Sequence, residues 1–118
     1  VFDCSLPDLT LDAVDITFHP PVQNIGFNTT ITATIHNVGD RDTGSYRVSI
    51  NDLTSGCFIG LPIVNGTSAG GTSVVELNYT VCGPTGNHTI QVEADAVWQI
   101  TEINENNNIA TNGNLTVT

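Results

Sequence analysis

The chain contains no lysine and only two arginines, Arg41 and Arg47, against twelve acidic residues. Its formal net charge at pH 7 is −10. Proteins bind nucleic acid with lysine and arginine side chains that replace the counterions of the phosphates. Anionic membrane surfaces attract basic segments for the same electrostatic reason. We therefore expect neither nucleic acid nor an anionic lipid surface as a partner.

Long apolar runs are also missing. None approaches the roughly 20 residues that a helix needs to cross a bilayer, so we expect no membrane insertion. Charged residues make up only 12% of the chain and hydrophobic residues 39%, which is too apolar for a disordered acidic chain. With 118 residues, the chain is long enough to form one domain with its own core.

The sequence has no helical hydrophobic period, and short segments instead alternate between apolar and polar residues. One segment has Ile31, Ala33 and Ile35 on one face and threonines on the other, which is typical of a half-buried antiparallel strand. Turn signals separate such segments at a spacing of about 8–12 residues. The pattern predicts an all-β fold, a seven-stranded antiparallel sandwich of the immunoglobulin or fibronectin-III type. We assign residues 9–118 to this single domain and residues 1–8 to an N-terminal lead-in or linker.

The first predicted strand, which starts at Leu9, is irregular. Its apolar residues change from odd to even positions near Asp12 and Ala13, which indicates a bulge or a crossing between sheets. Pro62 places the fourth strand at a sheet edge, because proline has no backbone donor. Across the strands, the positions predicted to face the core are Ile16, Ile31, Ile35, Val48, Ile50, Leu77, Tyr79, Ile90 and Val92.

The connection between the last two predicted strands, residues 95–109, is far longer than a plain hairpin requires. It is rich in carboxylates and side-chain amides, whose oxygens suit Ca²⁺, although their spacing is not that of an EF-hand. The alternative is that these side chains satisfy backbone donors of the loop itself. The predicted Ca²⁺ ligands are Asp95, Glu102, Asn104, Glu105 and Asn107.

Signals for catalysis and for carbohydrate binding are weak. His19, His36 and His88 do not have the spacing of a zinc site, and no G-x-S-x-G motif occurs. Trp98 and Tyr79 offer a sugar-stacking surface. However, Tyr79 lies at an inward position, and a single tryptophan in a loop more often packs on the domain. We therefore expect that the chain is not an enzyme.

The three cysteines are an odd number. Cys57 opens the predicted fourth strand and Cys82 closes the fifth, and an up-and-down topology brings both to the same end of the sandwich. Cys4 precedes the first strand, at the opposite end. This order favours a Cys57–Cys82 disulfide and leaves Cys4 for a bond to another chain. The pairings Cys4–Cys57 and Cys4–Cys82 remain alternatives.

Five Asn-x-Thr sequons occur, whereas thirteen asparagines and 23 serines and threonines in 118 residues would give about 2.5 by chance. Threonine-rich outward faces also generate such triplets without any modification. Together with disulfide-capable cysteines and a surface poor in charge, the sequons predict an extracellular glycoprotein. All five positions fit turns or outward strand faces: Asn28, Asn65, Asn78, Asn87 and Asn114.

Three motifs, in this order, are P-D-L-T-L-D-A-V-D-I at 7–16, T-A-T-I-H-N-V-G-D at 32–40 and E-I-N-E-N-N-N at 102–108. They resemble CARDB, the cell-adhesion-related domain found in bacteria and archaea, over essentially the whole chain. The resemblance implies a seven-stranded sandwich, usually repeated within large surface or secreted proteins, and no enzymatic activity. The cysteines, the sequons and the lack of lysine depart from the family pattern.

We therefore predict a non-catalytic extracellular module at the cell surface, structural or adhesive, as a subunit or repeat of a surface appendage or filament. Its predicted partners are copies of itself or neighbouring domains, joined when residues 1–7 and Cys4 of one chain reach an open sheet edge of another. The alternative is that residues 1–7 are only a linker. The alternative function is a carbohydrate- or calcium-dependent ligand-binding module of a secreted protein.

Overall fold

The computed structural model describes residues 6–95 and 108–118. Within these ranges the chain forms strands and a single short 3₁₀ turn at Ala13–Asp15. The strands are β1 (Leu9–Thr10), β2 (Ile16–His19), β3 (Val22–Gln23), β4 (Asn28–Asn37), β5 (Tyr46–Asp52), β6 (Phe58–Gly60), β7 (Ile63–Val64), β8 (Thr72–Thr80), β9 (Gly86–Ala94) and β10 (Ile109–Val117).

The strands form two sheets that pack face to face, which confirms the predicted all-β sandwich. In the first sheet β4 is central, with β1 and β2 along one edge and β8 along the other. The second sheet has the order β3-β10-β9-β5, and both β6 and β7 pair with β5. β1 and β2 are two halves of one strand that the 3₁₀ turn interrupts. β6 and β7 are likewise two halves of one strand, which is interrupted at Pro62.

The strand β3 differs from the predicted antiparallel pattern. β2 ends at His19, and Pro20 and Pro21 carry the chain into the second sheet, where β3 pairs in parallel with β10. The shift of apolar residues from odd to even positions near Asp12 does not come from a strand that crosses between the sheets. The 3₁₀ turn takes up the extra residues, and β1 and β2 both remain paired with β4.

The core lies between the two sheets, and strict alternation on β4 and β5 produces it. Threonines and other polar residues occupy the outward positions of β4, while its inward positions are buried. Eight of the nine predicted core residues are buried. Leu77 is only partly buried, because β8 is an edge strand. The side chain of Leu77 packs over Gly60, which has no side chain to cover it.

The two ends of the sandwich differ in which part of the chain they contain. At one end, here called the N-terminal end, Leu9 of β1 pairs with Asn37 at the end of β4. At the other, the C-terminal end, Val117 of β10 pairs with Gly86 at the start of β9. The chain therefore enters the sandwich at one end and leaves it at the opposite end.

Candidate functional site

A buried asparagine ties four segments together at the N-terminal end. The Oδ1 atom of Asn37 accepts hydrogen bonds from the backbone N–H groups of Asp8 and Gly39, both at 3.0 Å. Its Nδ2 atom donates to the carbonyls of Arg41 and Thr67, at 2.8 and 3.1 Å. All four hydrogen-bonding positions of the amide are therefore used, and Asn37 fixes β1, the end of β4 and two loops relative to one another.

Gly39 supplies the space that this arrangement needs. A Cβ atom at Gly39 would lie 2.6 Å from the backbone nitrogen of Asp8, so a larger residue would displace the segment that leads into β1. Asp40 donates its backbone N–H to the carbonyl of Leu6 at 3.1 Å, and Pro7 is buried. Residues 6–8 of the predicted lead-in are thus packed on the domain.

Two buried carboxylates lie at this N-terminal end. Asp8 is 8% exposed, and its Oδ1 atom has no hydrogen-bond partner among the described residues. Asp95, which follows β9, is 1% exposed and has a φ angle of 56°. Burial raises the pKa of the neighbouring Glu93, and the charge of Asp95 raises it further. A buried oxygen without a donor calls for an explanation such as a water molecule or an ion.

The predicted Ca²⁺ site is only partly within the described residues. Asn108 closes the base of the connection, because its Nδ2 atom donates to the carbonyl of Ala94 at 2.8 Å. In the ranges 6–95 and 108–118, no group of three or more His, Cys, Asp and Glu side chains could hold a metal ion. The site therefore stays a prediction: Asp95 is described, and Glu102, Asn104, Glu105 and Asn107 lie outside the described residues.

A buried polar network at the C-terminal end was not predicted from the sequence. The side chains of Asp52 and His88 are both fully buried. The Oδ2 atom of Asp52 lies 2.6 Å from Nδ1 of His88 and accepts a hydrogen bond from the hydroxyl of Tyr79 at 2.7 Å. Its Oδ1 atom accepts from the backbone N–H groups of Thr54 and Ser55. The carboxylate is therefore surrounded by donors.

His88 in this network carries a positive charge. Its Nε2 atom lies 2.5 Å from the carbonyl of Pro84, an acceptor, and Nδ1 faces the Asp52 carboxylate, so both ring nitrogens must donate. Burial alone lowers the pKa of His88, but the hydrogen bonds to Asp52 and Pro84 and the charge of Asp52 raise it above the ordinary 6.5. Burial raises the pKa of Asp52, yet the hydrogen bonds from His88, Tyr79 and Ser55 hold it below 3.8.

The network is therefore a buried ion pair with a structural role. A general base needs a free ring nitrogen, and both nitrogens of His88 are occupied. The alternation of inward and outward residues along the strands could have predicted this ion pair. Asp52 continues the inward series of β5 and His88 begins that of β9, and a charged residue at an inward position needs a partner.

The structure joins Cys57 and Cys82 in a disulfide beside this network. This is the pairing that the strand order favours, and both cysteines pack partly buried against the core. The backbone N–H of Cys57 donates to the Ser55 hydroxyl at 3.1 Å, which links the disulfide to the turn around Asp52. Cys4 lies outside the described residues.

The other residues that the sequence suggested for metal or sugar binding do not come together in one site. His36 lies at the surface, 3.0 Å from the Asp15 carboxylate, and His19 is exposed. Tyr79 is 5% exposed and belongs to the core, so its ring is not available to stack on a sugar. Trp98 lies outside the described residues.

An open groove of about 460 Å³ runs between the β7 edge of one sheet and β8 of the other. Its lining includes Pro62 and Glu76 together with Ile63 and Val74, two apolar residues that are 54% and 59% exposed. Among the described strands, β8 pairs only with β4. Within the ranges 6–95 and 108–118, one edge of β8 therefore has no partner strand, and such an edge can pair with another chain.

The five sequon asparagines are all exposed, as predicted. In the part of the chain that the structure describes, no helix combines the length and the apolar character of a membrane span.

Comparison with known proteins shows which domains this architecture is similar to. The CARDB family model matches residues 6–112. A solved CARDB domain from Pyrococcus furiosus, in complex with di-metal ions, has a TM-score of 0.76 and 25% sequence identity, covering 96% of this chain and 90% of that one. A domain of a candidate cell surface protein from Methanosarcina acetivorans has a TM-score of 0.75 and 26% identity, covering 96% and 93%.

A second structure of the Pyrococcus furiosus domain, at 23% identity, has the same fold with a TM-score of 0.75. No curated protein sequence matches the chain. Because the family model spans residues 6–112 of 118, the chain belongs to CARDB, a non-enzymatic family of cell-adhesion-related domains.

Proposed function

We propose that this protein is a non-catalytic extracellular module of the cell surface that joins end to end with copies of itself or with neighbouring domains. The observation that carries the proposal is the path of the chain, which enters at Leu9 at one end and leaves at Val117 at the other. Modules with this path can be connected in series without doubling back. The adhesion-related family and the Methanosarcina acetivorans relative support a position at the cell surface.

The contact between modules uses the open edge of β8. An extended segment from a neighbour can add to a free strand edge through backbone hydrogen bonds, and apolar pockets then select its side chains. The groove beside β8 offers Ile63 and Val74 for this purpose. It lies towards the N-terminal end of the sandwich, so modules joined in this way are staggered, each overlapping the next along its side. Residues 6–8 are packed on their own domain, so the segment that reaches the neighbour is residues 1–5, with Phe2 as its large apolar side chain. Cys4 in the same segment forms a bond with another chain.

Light scattering of the purified chain under oxidising conditions tests this assembly. We expect its mass to rise with protein concentration, and we expect deletion of residues 1–5 to abolish the rise. Val74→Lys places a charge in the groove and should have the same effect. Val14→Lys is the matched control, because Val14 is 85% exposed on the 3₁₀ turn, outside the groove. A chain that stays monomeric at high concentration with Cys4 free contradicts the proposal.

Protease treatment of intact cells tests the location. A surface module should be cut or released, and a cytoplasmic protein should survive until the cells are lysed. Replacement of Cys4 by serine, measured separately, reports whether a covalent bond adds to the contact, because it removes only the thiol.

A second function, binding of a divalent cation at the N-terminal end, is favoured by the buried Asp8 oxygen that has no hydrogen-bond partner among the described residues. The buried Asp95 opens the predicted ligand loop, and the Pyrococcus furiosus domain is in complex with di-metal ions. Carboxylates and amides suit Ca²⁺. We expect Ca²⁺ to raise the melting temperature, a chelator to lower it, and Glu102→Gln to remove the response. Asp40→Asn, at an exposed position, is the control and should keep the response to Ca²⁺. A melting temperature that changes neither with Ca²⁺ nor with the chelator contradicts this function.

A further inference from the structure

Four of the five sequons meet in two pairs across neighbouring strands, one pair on each sheet. We propose that Asn28, Asn78, Asn87 and Asn114 carry N-linked oligosaccharides, which together form a collar around the C-terminal end of the sandwich. The inference rests on the extracellular location proposed above, but it does not depend on assembly. Asn65 lies after β7, towards the N-terminal end, and is not part of the collar.

The first pair lies on the outer face of β4 and β8. Asn28 is directly opposite Thr80, and Thr30 is directly opposite Asn78. The hydroxyl of Thr80 donates to Oδ1 of Asn28 at 2.7 Å, and the hydroxyl of Thr30 donates to Oδ1 of Asn78 at 3.1 Å. The threonine of each sequon therefore binds the asparagine of the other.

The second pair lies on β9 and β10, in the other sheet. Asn87 is opposite Thr116, whose hydroxyl donates to Oδ1 of Asn87 at 3.3 Å. Asn114 lies in the bulge of β10 between the paired positions Asn112 and Leu115. Two sequons again lie side by side near the C-terminal end, although their strands and their sheet are different from those of the first pair.

The nitrogen that would bear the sugar is free in every sequon. Among the described residues, none of the five sequon asparagines donates its Nδ2 to another residue. In contrast, four of the five other described asparagines use this nitrogen in an internal hydrogen bond: Asn37, Asn51, Asn108 and Asn112. In three sequons a threonine occupies the amide oxygen, so the unused nitrogen of an exposed side chain is left for solvent.

The chemistry of the transfer is compatible with these hydrogen bonds. The Nδ2 atom forms a bond to the anomeric carbon of an oligosaccharide carried on a lipid phosphate, and the bond from that carbon to the phosphate oxygen breaks. The phosphate leaves with the electron pair, and the nitrogen loses one proton to a base of the transferase. One N–H and the Oδ1 acceptor remain on the asparagine, so Thr80 and Thr30 can keep their hydrogen bonds afterwards.

The folded domain also indicates when the sugars are added. The central residues of the four sequons are all buried, namely Thr29, Tyr79, His88 and Leu115. A transferase that binds the triplet would have to pull two paired strands apart. We therefore place the transfer before β4 pairs with β8 and before β9 pairs with β10.

The alternative is that the Asn–Thr pairs only stabilise the sheets, since cross-strand hydrogen bonds between polar side chains contribute to sheet stability. Mass spectrometry of proteolytic peptides distinguishes the two, with the chain purified from its own cells and from a bacterial cytoplasm that lacks N-glycosylation. We expect the peptides of all four collar sites from the native cells to be heavier by whole sugar residues. Peptides with Asn24 or Asn51 that contain no sequon should have equal masses from both sources, since these two asparagines are exposed or half-buried.

A pair of variants made in the native cells assigns the sugar to the sequon. Thr30→Val destroys the sequon of Asn28 and should remove the sugar there while Asn78 keeps its own. Thr30→Ser preserves the sequon and should leave both sites modified. Bare peptides in either pair from the native cells, or sugar that persists at Asn28 in Thr30→Val, would overturn the inference.

The outcomes separate this inference from the proposed function. A chain that is cut on intact cells but has bare collar peptides refutes the collar and leaves the surface location standing. A glycosylated chain that stays monomeric refutes the assembly and leaves the collar standing.

Discussion

The buried pair of His88 and Asp52 allows a test with an internal control. His88→Gln removes the cation and leaves the Asp52 carboxylate buried, with the hydroxyl of Tyr79 and backbone donors as its remaining partners. The loss of one partner of a buried ion pair costs about 3–5 kcal/mol, because the other charge stays uncompensated. For a domain whose total stability is about 5–15 kcal/mol, we expect the melting temperature to fall by at least about 10 °C.

The matched control is His36→Gln. His36 also lies 3.0 Å from a carboxylate, that of Asp15, but this pair is partly open to solvent, with 38% of the His36 side chain exposed. Exposed pairs contribute about 0–1 kcal/mol, so this variant should unfold close to wild type. Denaturant unfolding of the wild-type chain and both variants measures the difference directly. Equal effects of the two substitutions would refute the assignment of a buried ion pair to the C-terminal end.

The same pair predicts how stability depends on pH. The pKa of Asp52 is lowered, so its contribution is present above the unfolded value of about 3.8 and is lost as the pH falls through the folded pKa. The pKa of His88 is raised, so its contribution is complete below about 6.5 and is lost as the pH rises through the folded pKa. The pair should contribute most between about pH 4 and 6.5, and His88→Gln should lose the decline above pH 6.5. If the wild-type chain is as stable at pH 9 as at pH 6, His88 is not the cation that we describe.

Three further substitutions test other parts of the domain by their effect on unfolding. Cys57→Ser should lower the unfolding free energy by about 3.5 kcal/mol, since the disulfide closes a loop with a sequence separation of 25, and peptide mapping without reduction checks the pairing independently. Gly39→Ala should cost about 1–3 kcal/mol through overpacking, whereas Gly44→Ala, which has open space at its Cβ position, should be nearly neutral when both are melted side by side. Asn37→Ala leaves buried backbone groups without partners and should cost at least about 3 kcal/mol; a loss below 1 kcal/mol in the same denaturant assay would show that water replaces the amide.

Strand parity predicted most of the fold because one face of each long strand had to be apolar. It placed Ile31, Ile35, Val48 and Ile50 in the core correctly, and it placed Leu77 too deep because it does not report which strand lies at an edge. The parallel pairing of β3 was out of reach, since two residues are too few to show a period. The sequence also gave no direct sign of the four hydrogen bonds of Asn37, which join residues from separate segments.

The candidate sites were predictable to different degrees. Strand order was enough to favour Cys57–Cys82, because it determines which end of the sandwich each strand end reaches. The sequons were visible as triplets, but the pairing of Asn28 with Thr80 depends on the register of β4 and β8, which no local pattern specifies. The ion pair of Asp52 and His88 occupies two inward positions, but Asp52 is the last residue of β5, where a polar residue indicates the start of a turn rather than a part of the core.

The parallel alignment of β3 and β10 has a mechanical consequence. The backbone hydrogen bonds that join these segments include those from Ile25 to Thr118, from Thr116 to Pro21 and from Thr118 to Gln23, with donor–acceptor distances of 3.1, 2.9 and 3.0 Å. Tension applied to the chain at opposite ends of the sandwich would pull β3 towards the N-terminal end and β10 towards the C-terminal end. The bonds between them would then be sheared together rather than unzipped one after another.

Asn112 adds to this shear-resistant contact, because its Nδ2 atom, on β10, donates to the carbonyls of Ala13 and Ile16 at 3.1 and 2.8 Å. The first and last segments of the sandwich are thus joined directly to each other. A pulling force would load this contact together with the pairing of β1 and β2 with β4 and of β10 with β9, so the load is shared between the two sheets.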